Sequence, residues 1–359
     1  MTNGNPQLPQ MDQLLEELVL REASDLHLRV GEAPIYRIGG KLVRSEFPVL
    51  KEEDTKSLLY SIMTEEQQRR YEKELELDFA YGLAGVARFR INIFRQRGYV
   101  GAIMRVIPLK IRTIDEWKLP AMLKEMSLLP RGLVLITGPT GSGKSTTLAA
   151  MVDHINRNRR SHIITLEDPI EFLHKDSQAI IEQREVGADT PTFASGLRHV
   201  MRQNPDVILV GEMRNYETMS LAIAAAETGH LVLATLHTTD AAQTVDRIIN
   251  TYPPESQVQA RVQLATVLQA VISQALLPAL DRRRLVGAFE IMLGTPAVRS
   301  VIRDGKTPQI YSLIQTGSKF GMVSLDQALR ELVLSKQVTL EDALAKSSNP
   351  AELEASIGR

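Results

Sequence analysis

A chain of 359 residues, 43% hydrophobic and 24% charged, has the composition of a globular protein of roughly two or three domains, which excludes disordered, collagenous and fibrous classes. Lys and Arg number 42 against 43 Asp and Glu, a net charge of −1, so no global field draws in a polyanion and any nucleic-acid or lipid site must be local. With no cysteine there are no disulfides, no thiol catalysis and no thiolate zinc site, and no run approaches the about 18 apolar residues of a membrane span. Residues 1–10 form a polar, Pro-containing tail unlike a secretory signal, which predicts a cytoplasmic protein.

In chain order, Leu14, Leu15, Leu18 and Val19 have the spacing of an amphipathic helix over 11–22. Asp25-Leu-His-Leu-Arg-Val alternates like a strand, and strands at 34–38 and 41–44 flank a Gly39-Gly40 hairpin turn. A polar helical stretch follows over 52–74. We expect a small α+β domain at 11–112, a linker at 113–119 and a second domain at 120–359. From 130 onward short apolar runs at 133–137, 163–166, 207–210 and 231–235 alternate with helical segments, the pattern of a parallel α/β sheet. A long amphipathic helix is expected over 255–277, then a turn near Asp281, a strand at 286–292 and a helical tail.

Gly138-Pro139-Thr140-Gly141-Ser142-Gly143-Lys144-Ser145-Thr146 contains the G-x-x-x-x-G-K-[ST] pattern, after a buried run and before a helical segment at 146–158. Its glycines permit backbone angles that bring successive N–H groups onto phosphate oxygens, and the following helix adds its positive end. Lys144 is placed for the β and γ phosphates of ATP, and the Ser145 hydroxyl for Mg²⁺.

In an open parallel sheet, ligands bind beyond the carboxyl ends of the strands. There the sequence places Glu167-Asp-Pro-Ile-Glu171, Gly211-Glu212 and His237-Thr-Thr. Glu212 is the first choice for orienting the attacking water or holding Mg²⁺ through water, on a strand expected beside the phosphate loop; Glu171 is the second. Asp206 precedes that strand where a terminal aspartate is common, so base and metal roles stay open for Glu212. His230 and His237 bracket the fourth strand. His237, at the catalytic end, suits a γ-phosphate contact, whereas a histidine such as His230 also commonly serves structure.

Between Asp78 and Asp115 there is no acidic residue, yet the window holds Arg88, Arg90, Arg95, Arg97, Arg105, Lys110 and Arg112. It reads as a hairpin turning at Arg97-Gly98. A two-residue or concentric four-residue loop sets Arg90 opposite Arg105, with Phe89, Ile91, Ile93, Val100, Ala102, Met104 and Val106 on the core face, whereas a three-residue loop would shift the register and break the pairing. Opposed like charges destabilise a sheet, so an anion is expected to bridge them, the economical candidate being the triphosphate on another subunit.

These motifs resemble one family, the secretion and pilus hexameric ATPases, and within it the type IV pilus retraction ATPases. The similarity covers almost the whole chain. It rests on Ala23-Ser-Asp-Leu-His-Leu, the phosphate loop, Glu167-Asp-Pro-Ile-Glu-Phe, Asp206-Val-Ile-Leu-Val-Gly-Glu-Met-Arg and Thr228-Gly-His-Leu-Val-Leu-Ala-Thr-Leu-His, and Pro296-Ala-Val-Arg-Ser-Val-Ile-Arg resembles the C-terminal helix motif associated with retraction. The resemblance implies a RecA-like P-loop NTPase domain with a smaller N-terminal PAS-like α+β domain, and Mg-dependent ATP hydrolysis. It further implies a homohexamer that drives pilus retraction and twitching motility through an inner-membrane platform protein, with peripheral association at that membrane. It maps Arg90 and Arg105 onto arginines acting in trans, which joins them to Glu212, Glu171, His237 and His230 as the catalytic set.

Ala-Val-Arg-Ser stands where relatives often have Ala-Ile-Arg-Asn, which leaves an accessory paralogue open. The pilus-extension and type II secretion ATPases usually carry further N-terminal domains and a four-cysteine module, and this chain has no cysteine. A RecA-like nucleic-acid motor calls for a basic stripe with stacking aromatics; aromatics are 5%, and Arg157-Asn-Arg-Arg and Arg282-Arg-Arg read as solvated loop ends.

Overall fold

The computed structural model describes residues 8–107 and 111–358; most of the expected tail and Lys110 lie outside the described residues. The chain divides into two compact units, Met1–Lys110 with Pro169–Leu173, and Ile111–Asp168 with His174–Arg359. Among the described residues no helix is long and apolar enough to cross a membrane.

The first unit runs α1 (Met11–Leu20), β1 (Asp25–Arg29), β2 (Ile35–Ile38), β3 (Lys41–Arg44), α2 (Glu52–Tyr60), α3 (Glu65–Glu74), β4 (Glu76–Leu83), β5 (Ala87–Gln96) and β6 (Tyr99–Ile107). Its six strands form one antiparallel sheet in the order β3-β2-β1-β6-β5-β4. Leu14, Leu15 and Leu18 of α1 join Leu26, Leu28, Phe89, Ile91, Ile93 and Met104 in a buried cluster on one sheet face. The polar stretch 52–74 is two helices, because Thr64 accepts from the Gln67 amide and starts α3 afresh. Arg97 and Gly98 turn β5 into β6 with φ of 51° and 87°, the two positive angles of a type I′ turn. That two-residue loop sets Arg90 against Arg105.

The second unit contains α4 (Met122–Ser127), β7 (Gly132–Thr137), α5 (Lys144–Asn158), β8 (His162–Glu167), β9 (Ile180–Glu185), α6 (Phe193–Val200), β10 (Val207–Val210), α7 (Tyr216–Glu227), β11 (Leu231–Leu236), α8 (Ala241–Thr251), α9 (Gln257–Val267), β12 (Leu268–Pro278), β13 (Leu285–Leu293), α10 (Pro296–Arg303), α11 (Ile310–Thr316), α12 (Leu325–Leu334), α13 (Leu340–Leu344) and α14 (Pro350–Ile357). Seven strands lie in the order β13-β12-β7-β11-β10-β8-β9, parallel except for the β12–β13 pair. Alternate residues of β7 enter opposite cores: Leu133 and Leu135 pack with α6 to α11, Val134 and Ile136 with α4 and α5. Burial on both faces is why these strands read as continuous apolar runs.

Two expectations are corrected. The helix expected over 255–277 ends at Val267, and the rest is the eleven-residue strand β12, parallel to β7. An apolar run buried on both sides has no periodicity to separate helix from strand, and Val271 and Ile272 favour the strand. Strand β10, which leads into Glu212, is not beside β7; β11 lies between them.

Glu290 on β13 is 3% exposed, and one of its oxygens accepts the Ala241 amide at 2.8 Å. That amide belongs to the first turn of α8, where N–H groups lack helical partners. Burial pushes the Glu290 carboxyl up to about 7, with Asp240 and Asp326 adding to the rise. A folded pKa above the unfolded one stabilises fully below the unfolded value near 4.5 and loses that stabilisation as pH rises to about 7. Glu290→Gln should therefore stabilise the chain at pH 8, by at most about 3 kcal/mol, and much less at pH 4.5. Denaturant midpoints at the two pH values check this; an equal shift at both would contradict it.

Candidate nucleotide site

The phosphate loop follows the carboxyl end of β7 and runs into the fifteen-residue helix α5. Gly138, Gly141 and Gly143 have φ of 142°, 79° and 87°, a region that side chains strain against. A Cβ at Gly138 would stand 2.4 Å from the Gln274 carbonyl oxygen, so close backbone approach also demands glycine there. Pro139, Thr140 and Gly141 are exposed at the crest, whereas Ser145 and Thr146 sit half-buried in the first turn of α5. Lys144 Nζ donates to the carbonyl oxygens of Gly138 at 2.8 Å and Pro139 at 3.0 Å, folded back over the loop. Glycine backbone, a helix start and a lysine at its mouth are a donor set built for a polyphosphate.

The strand order carries the remaining groups toward the loop. β11, paired with β7 through Leu236 and Thr137, ends just before His237, and β10, paired with β11, ends just before Glu212. Glu212 Oε1 lies 3.1 Å from His237 Nε2, and Oε2 lies 2.8 Å from Arg214 Nε. The Glu212 side chain is 19% exposed, so it is held from both sides yet open to solvent. Gly211 makes this possible: a Cβ there would stand 3.1 Å from the Leu166 carbonyl oxygen. Arg214 was not singled out in the sequence, although it lies only two residues from Glu212.

Other expected residues lie elsewhere. His230 is at the amino end of β11, about 20 Å along the strand from His237 at ~3.3 Å per residue. Its Nδ1 meets the Ala225 carbonyl oxygen at 2.9 Å, near the end of α7, so within one chain it does not join the Glu212 group. Asp206 is likewise at the far end of its strand and accepts the His162 amide. Glu167 accepts from the Thr165 hydroxyl at 2.6 Å. Glu171 falls in Pro169–Leu173, the stretch that belongs to the first unit, and Glu212 belongs to the second.

In the first unit the sheet itself supplies an acid to the basic window. Asp25 on β1 pairs in register with Arg105 on one side and Arg37 on the other. Its carboxylate, 4% exposed, meets Arg105 Nε at 2.8 Å and Arg37 Nε at 3.4 Å. Burial works against that carboxylate, but hydrogen bonds from Ser24 and Arg105 outweigh it and hold the pKa below its ordinary value. The anion expected between Arg90 and Arg105 is thus partly replaced: Arg105 has Asp25, whereas Arg90 is exposed and its opposite neighbour on β4 is Ala80. The row Arg37, Asp25, Arg105, Arg90 keeps an excess of positive charge. Asp25 was legible only through the β1–β6 pairing, since it lies outside the window.

The C-terminal motif is tied into the same sheet. Arg299 on α10 donates to the carbonyl oxygens of Gly294, Ala265 and Thr266 and to Gln269 Oε1, so it caps the end of α9 where β12 begins.

The model of the family described as Type II/IV secretion system protein matches residues 2–292. The chain is 48% identical over 328 residues to the type IV pilus retractation ATPase PilT of Pseudomonas aeruginosa, covering 91% of this chain and 95% of that protein. It is 45% identical over 316 residues to a twitching motility protein of Neisseria gonorrhoeae, covering 88% and 84%. The crystal structure of the pilus retraction motor PilT with bound ADP superposes with a TM-score of 0.91 at 44% identity, over 97% of this chain and 99% of that one. The chain belongs to the Type II/IV secretion system protein family.

Proposed function

We propose that the chain is a Mg-dependent ATPase that drives type IV pilus retraction, working as a homohexamer against an inner-membrane platform protein from the cytoplasmic side. The observation that carries the reading is the constellation at the carboxyl ends of β7, β11 and β10: a glycine-built phosphate loop with its lysine, His237, and Glu212 beside it. The retraction role is supported by relatives of near-equal length, which are named for that motor and for twitching.

In this reading the loop amides and the start of α5 hold the phosphates, and Lys144 exchanges the Gly138 and Pro139 carbonyl oxygens for the β and γ phosphates. Ser145 is the residue to hold Mg²⁺, which when bound offsets phosphate charge. Among the described residues no group of three or more His, Asp or Glu could hold a metal by itself, so Ser145 and the phosphates would share the ion. Glu212 keeps lone pairs beyond those engaged by Arg214 and His237 and can accept a proton from the attacking water. His237 is the group to touch the γ phosphate in this reading. Arg90, which has no carboxylate partner among the described residues, is the group to reach a nucleotide on a neighbouring copy and offset charge in the transition state, with Arg105 beside it. Glu171 keeps its place as the second-choice carboxylate in this reading, and His230 a catalytic role only through the assembled ring.

Glu212→Gln should bind ATP with near-native affinity and hydrolyse it about 100- to 10,000-fold more slowly, and cells carrying it should keep excess pili that fail to retract. Near-native turnover would overturn the role of Glu212; bald cells would point to pilus extension instead. Arg90→Ala should lower ring turnover by about a thousandfold while the nucleotide affinity of a single subunit stays nearly intact. Mixed rings with Lys144→Ala protein should regain activity, because some seams then join an intact loop to an intact arginine. No recovery at any ratio would contradict action across subunits.

A further inference from the structure

The phosphate loop is held from within by a residue outside every motif above. β12 runs beside β7 only as far as the pair Ser273 and Thr137, whose hydroxyls are hydrogen-bonded at 2.8 Å. Where β7 leaves the sheet to become the loop, β12 continues straight on, and its next residue is Gln274. The Gln274 side chain, in a residue 4% exposed, reaches under the loop. Its Nε2 donates to the Ser142 carbonyl oxygen at 2.6 Å, and its Oε1 accepts from the Thr147 hydroxyl at 2.9 Å. Ser142 and Thr147 are themselves buried, at 3% and 1%. One amide therefore joins the descending limb of the loop, the first turns of α5 and the neighbouring strand.

Two glycines are fitted to this residue. A Cβ on Gly138 would meet the Gln274 carbonyl oxygen, and one on Gly143 would stand 3.3 Å from Gln274 Nε2. A cavity of about 530 Å³ opens beside the loop, lined by Pro139 to Ser142, Asp240, Gln243, Gln274 to Leu276 and the Ala345–Ser348 segment after α13.

We propose that Gln274 is a positioning residue for phosphate binding: by bridging Ser142 and Thr147 it fixes the loop so that its remaining N–H groups face the nucleotide. The proposal rests on the loop being the nucleotide site. A carbonyl at Ser142 that accepts from Gln274 is turned inward, which directs the Gly143 N–H of the same trans peptide unit outward. Leucine at 274 fills similar volume but neither donates nor accepts, so the loop would sample conformations in which fewer amides converge on the phosphates.

The test is titration of a fluorescent ADP analogue, with steady-state KM and kcat for ATP, on the assembled protein and three variants. Gln274→Leu should weaken ADP about tenfold and raise KM by a similar factor, with kcat lowered by less. Thr147→Val removes the other end of the bridge and should weaken ADP about threefold. Because the two bonds share one amide, the double variant should lose less than the product of the single losses. Lys144→Ala is the control for the site: if it binds ADP as the native protein does, the nucleotide reading fails and the bridge with it. If Lys144→Ala loses binding while Gln274→Leu and Thr147→Val bind within twofold of the native protein, the bridge alone is overturned, even if both melt earlier. Should Gln274→Leu not fold, Thr147→Val decides: threefold weaker binding supports the bridge and native binding overturns it.

Discussion

The second unit is organised around backbone N–H groups that have no partner within the helix they begin. The first turn of α5 leaves its amides unpaired, as every helix does, and the glycines before it bend the chain so that further amides join them. A buried cluster of unpaired donors would cost several kcal/mol, so it persists at the surface, where water or an anion can satisfy it. The sheet decides where that happens. β7 delivers the loop, β11 and β10 deliver His237 and Glu212 to the same edge, and β12 delivers the bridging amide of Gln274.

In the first unit charge is distributed by strand pairing. The hairpin β5–β6 brings Arg90 against Arg105, an arrangement a sheet resists, and β1 relieves half of it by setting Asp25 beside Arg105. Asp25 is shared by Arg37 and Arg105, which leaves Arg90 at the end of the row with its guanidinium in solvent. An exposed arginine held on an inner strand of a six-stranded sheet stands on a rigid base, which suits it to a contact made only in an assembled state.

The fold was legible where residues carry local signals. Four parallel strands, the type I′ turn at Arg97-Gly98 and the Arg90–Arg105 register follow from alternation, turn chemistry and loop length. β12 was missed because burial on both faces erases the period that separates strand from helix, although Ser273-Gln274 interrupts the apolar run and could have marked a polar task there. Glu212 and His237 stand out in the sequence because ligands bind beyond strand ends in such sheets, and the structure brings the two side chains together, but the insertion of β11 between β7 and β10 is a fact of topology that spacing along the chain does not encode. Asp25 and Gln274 meet partners up to 132 residues away, which only the paired sheet brings together, whereas Arg214 lies two residues from Glu212 and carries no motif signal of its own.

Nucleotide binding turns on a preformed phosphate loop that changes only its lysine when fuel binds. A crystal structure of the assembled protein with Mg²⁺ and a non-hydrolysable ATP analogue tests this directly. It should place the β phosphate among the 138–146 amides, with Lys144 Nζ moved from the Gly138 and Pro139 carbonyl oxygens onto phosphate oxygens. A nucleotide bound away from that loop, with Lys144 still folded onto Gly138, would contradict the account.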